Sequence, residues 1–290
     1  MKPTVLYKYA TPNTAEIILE NGRLRWSNPS VFNDLNELQR IPCFEPTVCE
    51  SYQNLLKTLL DAACGRLALD ANRLTPRTRK ILDQVIQGLQ VGKSESELLG
   101  VLCDFKPSDA DQIIDKGLRE YFALLAKKGP RILCLTSTYN NEVMWGTYAE
   151  NHHGVVLGFT AALPDSPFHE VKQVTYSDRP IAGSGLDFLL YGDTPELRKR
   201  TIEAVCYSKK LAWSYEQEWR LITWRSQESH SDHGDYIFYP AELESVTFGV
   251  RAKPEVVKTM CKTIHKKYPS TTIFQMLHQQ GSLNRVPLET

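Results

Sequence analysis

The sequence predicts an α+β protein whose mixed β core is split by an all-helical insertion over residues about 45–130. Two observations carry that expectation. Short extended runs rich in β-branched and aromatic residues lie on both sides of the insertion, at 4–9, 131–137 and 154–159, punctuated by turn signals. Between them, over 51–127, the apolar residues recur at helical spacing. The chain reads as one domain, 1–290, carrying that insertion.

The elements follow in order. A strand is expected at 4–9 and a short helix at 13–20, which Asn21-Gly22 stops. A second extended piece, 23–26, runs into the turn Ser27-Asn28-Pro29-Ser30. In the insertion, Leu55, Leu56, Leu59 and Leu60 mark one helix, and Ile81, Leu82, Val85, Ile86 and Leu89 a second, opened by Thr75-Pro76. Ser94 and Glu97 form a capping box before a third helix, and Ile113 through Leu125 supply a fourth. Strands are then expected at 131–137, 154–159, 170–176, 218–224, 236–239, 245–250 and finally 271–277, with helices at 140–151, 195–206 and 254–267 and a polar loop at 226–234.

With 290 residues, 42% hydrophobic and 23% charged, the chain is long enough to bury a large core. Its 34 basic and 34 acidic residues balance, so no global field draws it to nucleic acid or to an anionic membrane. A local basic patch and a nucleic-acid substrate stay open. No apolar run approaches the roughly 20 residues that span a bilayer, and the N-terminus enters a strand-like stretch without a signal-peptide apolar region. The seven cysteines are scattered and form no C-x-x-C pair. Reduced thiols, a cytoplasmic location, no membrane partner and no metal centre are the expectations.

The residues with chemical potential fall in three regions. Glu216 and Glu218 stand two apart at the entrance to a strand, so alternation is expected to place both carboxylates and Arg220 on one side. They are either a catalytic pair or a salt-bridged rung in which Arg220 satisfies Glu218. Trp213, Tyr215 and Trp219 flank them and either wall a cleft or fill core. The hydroxyls Thr136-Ser137-Thr138 end a strand and either cap the following helix or edge a site. Trp145 and Tyr148 on that helix are expected to face the core. Lys8, between Tyr7 and Tyr9, points opposite to them, as a solvated cation or one aimed at a phosphate. Two weaker groups are the loop Ser229-His230-Ser231-Asp232-His233-Gly234-Asp235, with metal-like spacing but no third ligand, and His152-His153 as a general base.

Leu6-Tyr7-Lys8-Tyr9, Phe32-Asn33-Asp34, Met144-Trp145-x-x-Tyr148-Ala149-x-x-His152-x-Gly154-Val155-x-Leu157-Gly158-Phe159 and Tyr215-Glu216-x-Glu218-Trp219-Arg220 together resemble a bacterial family catalogued as a domain of unknown function. More remotely, the order of elements is similar to the mono-ADP-ribosyltransferase fold. That resemblance implies NAD as substrate. It places Lys8 where the fold carries arginine or histidine, Ser137 in the hydroxyl motif, and Glu216 and Glu218 in the Glu-x-Glu motif. Glu218 then holds the ribose 2′-hydroxyl, Glu216 the acceptor nucleophile, and Ser137 holds Glu218. Lys8 meets the pyrophosphate, Thr136 lies beside it, and Tyr9 or Trp213 stacks on nicotinamide. The implied function is transfer of ADP-ribose to a protein or nucleic acid, as in a toxin or anti-phage effector, with a neutralising or sensing partner at the helical insertion. Two readings compete with it: a non-catalytic ligand- or partner-sensing module on the same scaffold, and a metal-dependent hydrolase.

Overall fold

The computed structural model describes residues 2–36, 38, 40–103, 109–127, 129–224 and 231–289. Along the chain, β1 (Val5–Ala10), α1 (Pro12–Asn21) and β2 (Arg23–Ser27) come first. β3 (Cys43–Phe44) leads into α2 (Val48–Ala63), α3 (Pro76–Gln90), α4 (Glu95–Cys103) and α5 (Ala110–Lys127). There follow β4 (Arg131–Thr136), α6 (Glu142–Tyr148), β5 (Val155–Thr160), β6 (Lys172–Gln173), β7 (Thr175–Tyr176) and β8 (Ile181–Gly183). The chain continues through α7 (Gly185–Tyr191), α8 (Pro195–Cys206), β9 (Ser208–Lys209), β10 (Glu218–Thr223) and β11 (His233–Ile237). It ends with β12 (Leu243–Phe248), α9 (Pro254–Lys267), β13 (Thr272–Gln279) and β14 (Ser282–Pro287). The fold is mixed α and β. Among the described residues no helix is long and apolar enough to cross a membrane.

The chain divides into two compact units. The first comprises Met1–Glu37, Ala126–Ser177 and Lys209–Thr290, the second Leu38–Leu125 and Asp178–Ser208. The second unit therefore includes a later segment that the sequence reading, with its boundaries at about 45–130, leaves in the core.

The first unit is built on a mixed sheet in the order β11-β2-β4-β1-β5-β12-β13-β14, with β10 pairing with β4 and β6. Its pairings are antiparallel except β12–β13, whose parallel register is reached through the crossover helix α9. Alternation along β1 sends Leu6 and Ala10 into one core, where Ile18 and Leu19 of α1 and Met260 and Ile264 of α9 also pack. Tyr7 and Tyr9 enter the other, with Met144 and Trp145 of α6. Lys8 thus starts from the side opposite the tyrosines, as expected.

The strand β4 fixes where the site forms. On one edge it pairs with β10 over its whole length, from Glu218↔Thr136 to Thr223↔Arg131. Its other edge meets β1 at Tyr7↔Thr136 and β2 at Ser27↔Ile132. The two neighbours splay apart between these points, and the Cys134 carbonyl there accepts from Lys8 Nζ at 3.2 Å.

Gly154, in the motif that begins β5, is required by packing: an added Cβ would collide with the Ala10 carbonyl oxygen and lie 2.9 Å from Ala149 Cα. Backbone atoms cannot swing aside as a flexible side chain can. Gly154→Ala is expected to cost about 1–3 kcal/mol, measured as a lower denaturant midpoint; an unchanged midpoint would contradict this packing.

In the second unit, Leu55, Leu56 and Leu59 of α2 pack with Leu82 of α3 and Leu190 of α7. Thr75 caps α3 with Pro76 at its first turn, and Ser94 and Glu97 bond reciprocally, as their spacing predicts. A second box, Thr47 with Glu50, starts α2, and the Asp111 carboxylate accepts from the Val48 and Cys49 amides there.

Several expectations are corrected. The single strand expected at 170–176 is broken at Val174 into β6, which pairs with β10, and β7, which pairs with β9 in a separate sheet. The strand at 271–277 is not the last, since β14 pairs with β13. The expected loop at 226–234 gives way to β11 from His233, and Ser229 and His230 lie outside the described residues.

Candidate functional site

A cavity of about 350 Å³ opens in the first unit where β1 and β2 diverge. Its walls include Lys8 and Tyr9 of β1, Arg25 and Ser27 of β2, Asn33, Thr136 of β4, Tyr148 of α6, and Lys209, Glu216 and Glu218. Five of the residues singled out from sequence, Lys8, Tyr9, Thr136, Glu216 and Glu218, thus meet in one place. Ser137 and Trp213 are not among its lining residues.

The two glutamates converge by a different route from the one strand alternation suggests. Glu216 ends a 3₁₀ turn, Gln217 is left-handed at φ 44°, and β10 begins only at Glu218. A non-glycine residue in that conformation costs about 1 kcal/mol. Ser137 holds the turn: its amide donates to the Gln217 carbonyl at 3.3 Å and its Oγ to Gln217 Oε1 at 3.1 Å. The expected contact of Ser137 with Glu218 is therefore corrected to a contact with Gln217, one residue earlier. Nor do the hydroxyls cap α6; Asn141 does, through Met144 N at 3.0 Å.

Arg220 is fully buried and grips Glu218 with two bonds, Nε to Oε1 at 2.6 Å and Nη2 to Oε2 at 3.0 Å. Lys209, which the sequence reading passed over, lies between the carboxylates. Its Nζ donates to Glu216 Oε2 at 2.6 Å and to Glu218 Oε2 at 3.4 Å, and the Trp213 ring centre is 4.6 Å from it. Trp213 therefore acts on the site through Lys209. Two buried anions are matched by two buried cations.

These contacts set the charge states. Burial disfavours the Glu218 carboxylate, but Arg220, helped by Lys209, more than reverses this and holds its pKa at about 2. Burial likewise opposes the Lys209 charge, and Glu218 and Glu216 override it, raising that pKa. Lys8 has weaker support: burial pushes its ammonium below the usual range, and Cys134 and Glu218 only partly offset that. Burial pushes the Cys134 thiol well above its usual range, so it is not a reactive thiolate.

The depressed Glu218 pKa makes a stability prediction with a definite sign. The folded value lies below the ordinary 4.5, so the ion pair contributes above pH 4.5 and is lost as pH falls toward 2. The contribution is on the order of 3 kcal/mol. Acid unfolding of Glu218→Gln should lack this component of the slope; identical acid titrations of native and variant protein would contradict the pairing.

Tyr148 packs against the same core cluster as Trp145, as expected, but its hydroxyl also enters the site. Trp145 faces the core as expected, with Nε1 donating to the Tyr139 carbonyl at 2.8 Å. In the cavity, the Tyr148 hydroxyl donates to Glu216 Oε1 at 2.5 Å and accepts from Asn33 Nδ2 at 2.8 Å. Burial and that bond to Glu216 push its pKa well above the usual range. Tyr9 lines the cavity, but its hydroxyl is tied to the Thr138 carbonyl and the Asn141 amide, both at 3.2 Å. His152 stacks on Trp145 at 6.3 Å in a left-handed run, Glu150 to His152, and is not among the lining residues. Among the described residues no three His, Cys, Asp or Glu side chains converge as a metal site.

No curated protein and no solved structure matches the chain. A family profile described as Protein of unknown function (DUF2971) matches residues 144–221, from α6 to β10, and that stretch carries Tyr148, Lys209, Glu216 and Glu218.

Proposed function

We propose that the chain is an NAD-dependent mono-ADP-ribosyltransferase-like enzyme acting on a protein or nucleic-acid acceptor. One observation carries this reading. The three segments that the resemblance to that fold singles out are neighbours in one sheet, β1–β4–β10, and Lys8, Thr136 and Glu218 from them line one cavity. Cleaving the nicotinamide–ribose bond develops oxocarbenium character, as glycoside cleavage does. Glu218, anionic throughout the physiological range, supplies a fixed negative charge for that cation and an acceptor for the 2′-hydroxyl. Glu216 serves the acceptor nucleophile. Lys8 meets the pyrophosphate, whose charge offsets the burial that disfavours the Lys8 ammonium.

A second reading, a ligand-sensing module without turnover, is favoured by one feature: both carboxylates are already ion-paired. On the enzyme reading, the helical insertion is the surface for an acceptor or a neutralising partner. Purified protein incubated with NAD and cell lysate separates the two. Nicotinamide release supports the enzyme, whereas saturable NAD binding without release supports the sensor.

A further inference from the structure

We propose that Tyr148 is a catalytic residue that relays the proton of a neutral hydroxyl acceptor to Glu216, an inference that rests on the NAD reading above. Three segments build the relay. Asn33 follows the turn after β2, Tyr148 ends α6, and Glu216 precedes β10. All three side chains line the cavity. Asn33 donates to the Tyr148 hydroxyl, which donates in turn to Glu216 Oε1 at 2.5 Å. The other Glu216 oxygen is taken by Lys209. Glu216 Oε1 therefore reaches an incoming acceptor through the Tyr148 hydroxyl, on which the Asn33 and Tyr215 side chains also converge.

The charge balance chooses the acceptor class. At Glu216, which serves the acceptor, Lys209 Nζ holds Oε2 at 2.6 Å and the Tyr148 hydroxyl holds Oε1, so a guanidinium or ammonium acceptor would meet a resident cation there. A neutral hydroxyl fits. In the step, the acceptor oxygen bonds ribose C1′ as the C1′–nitrogen bond breaks, and its electron pair leaves with nicotinamide. The acceptor proton passes to the Tyr148 oxygen while the Tyr148 proton passes to Glu216 Oε1.

The test uses the full chain with NAD and two small acceptors, methanol and agmatine. Native protein is expected to form methyl ADP-ribose and not the agmatine adduct. Tyr148→Phe should lower that transfer by about 10²-fold or more, with NAD affinity by calorimetry unchanged. A merely structural role would not separate turnover from affinity in this way. Asn33→Ala, which leaves the tyrosine in place, should give a smaller loss of turnover at unchanged affinity. Native turnover undiminished in Tyr148→Phe overturns the relay alone, and undiminished turnover in Asn33→Ala overturns it if the tyrosine variant does not fold. Preference for agmatine overturns the acceptor class. Absence of NAD cleavage by native protein overturns the enzyme reading and the relay together.

Discussion

Arg220→Met is expected to destabilise the folded chain by about 3–5 kcal/mol. Arg220 is fully buried on β10 and bonds the Glu218 carboxylate at 2.6 and 3.0 Å, so its loss strands a carboxylate that is 3% exposed. Lys209 is left at 3.4 Å from Glu218, and its closer bond is to Glu216 at 2.6 Å. Methionine fills much of the volume, so the cost is dominated by the uncompensated charge. Adding Glu218→Leu should therefore recover a large part of the loss, because a buried pair replaced by apolar groups is often nearly neutral. Urea denaturation of the two single variants and the double variant reads both effects. A change of under about 1 kcal/mol in Arg220→Met, the range of an exposed ion pair, would mean that Arg220 does not hold Glu218 in solution.

Glu218→Gln is expected to reduce nicotinamide release from NAD by about 10²–10³-fold. Glutamine keeps the shape and part of the hydrogen bonding to Arg220, but removes the charge that faces the developing cation. Circular dichroism at the assay temperature separates that effect from unfolding. Equal turnover in the variant would remove Glu218 from the chemistry even if NAD is cleaved.

Much of this arrangement was legible in the sequence where local pattern decides it. The alternation of Leu6, Tyr7, Lys8 and Tyr9 places Lys8 opposite the tyrosines, and the Glu216, Glu218 and Arg220 spacing already names the ion pair as one outcome. Thr75-Pro76 and Ser94–Glu97 open helices by bonds that span only three residues. What escaped depends on distant parts of the chain. Lys209-Lys210 reads as ordinary surface charge, yet the β7–β9 pairing carries Lys209 between the two glutamates. Tyr148 and Trp145, three apart on α6, share a helix face by sequence and both pack on the core, but only Trp145 is buried and Tyr148 extends its hydroxyl to Glu216. The left-handed Gln217 has no local signal, since glycine or asparagine is the usual mark of that conformation. β14, with polar residues on both faces of Ser282–Pro287, lacks the alternation that announces a half-buried strand. The cavity itself arises from β1 and β2 parting along β4, a tertiary event.

On the function proposed above, Lys8, Thr136, Glu216 and Glu218 form one NAD site. A crystal structure with a non-cleavable carbocyclic NAD analogue tests it most directly. The analogue is expected in the cavity between β1 and β2, with its ribose-equivalent 2′-hydroxyl on Glu218 and its pyrophosphate beside Lys8. An analogue bound elsewhere, or this cavity empty at saturating analogue, would contradict it.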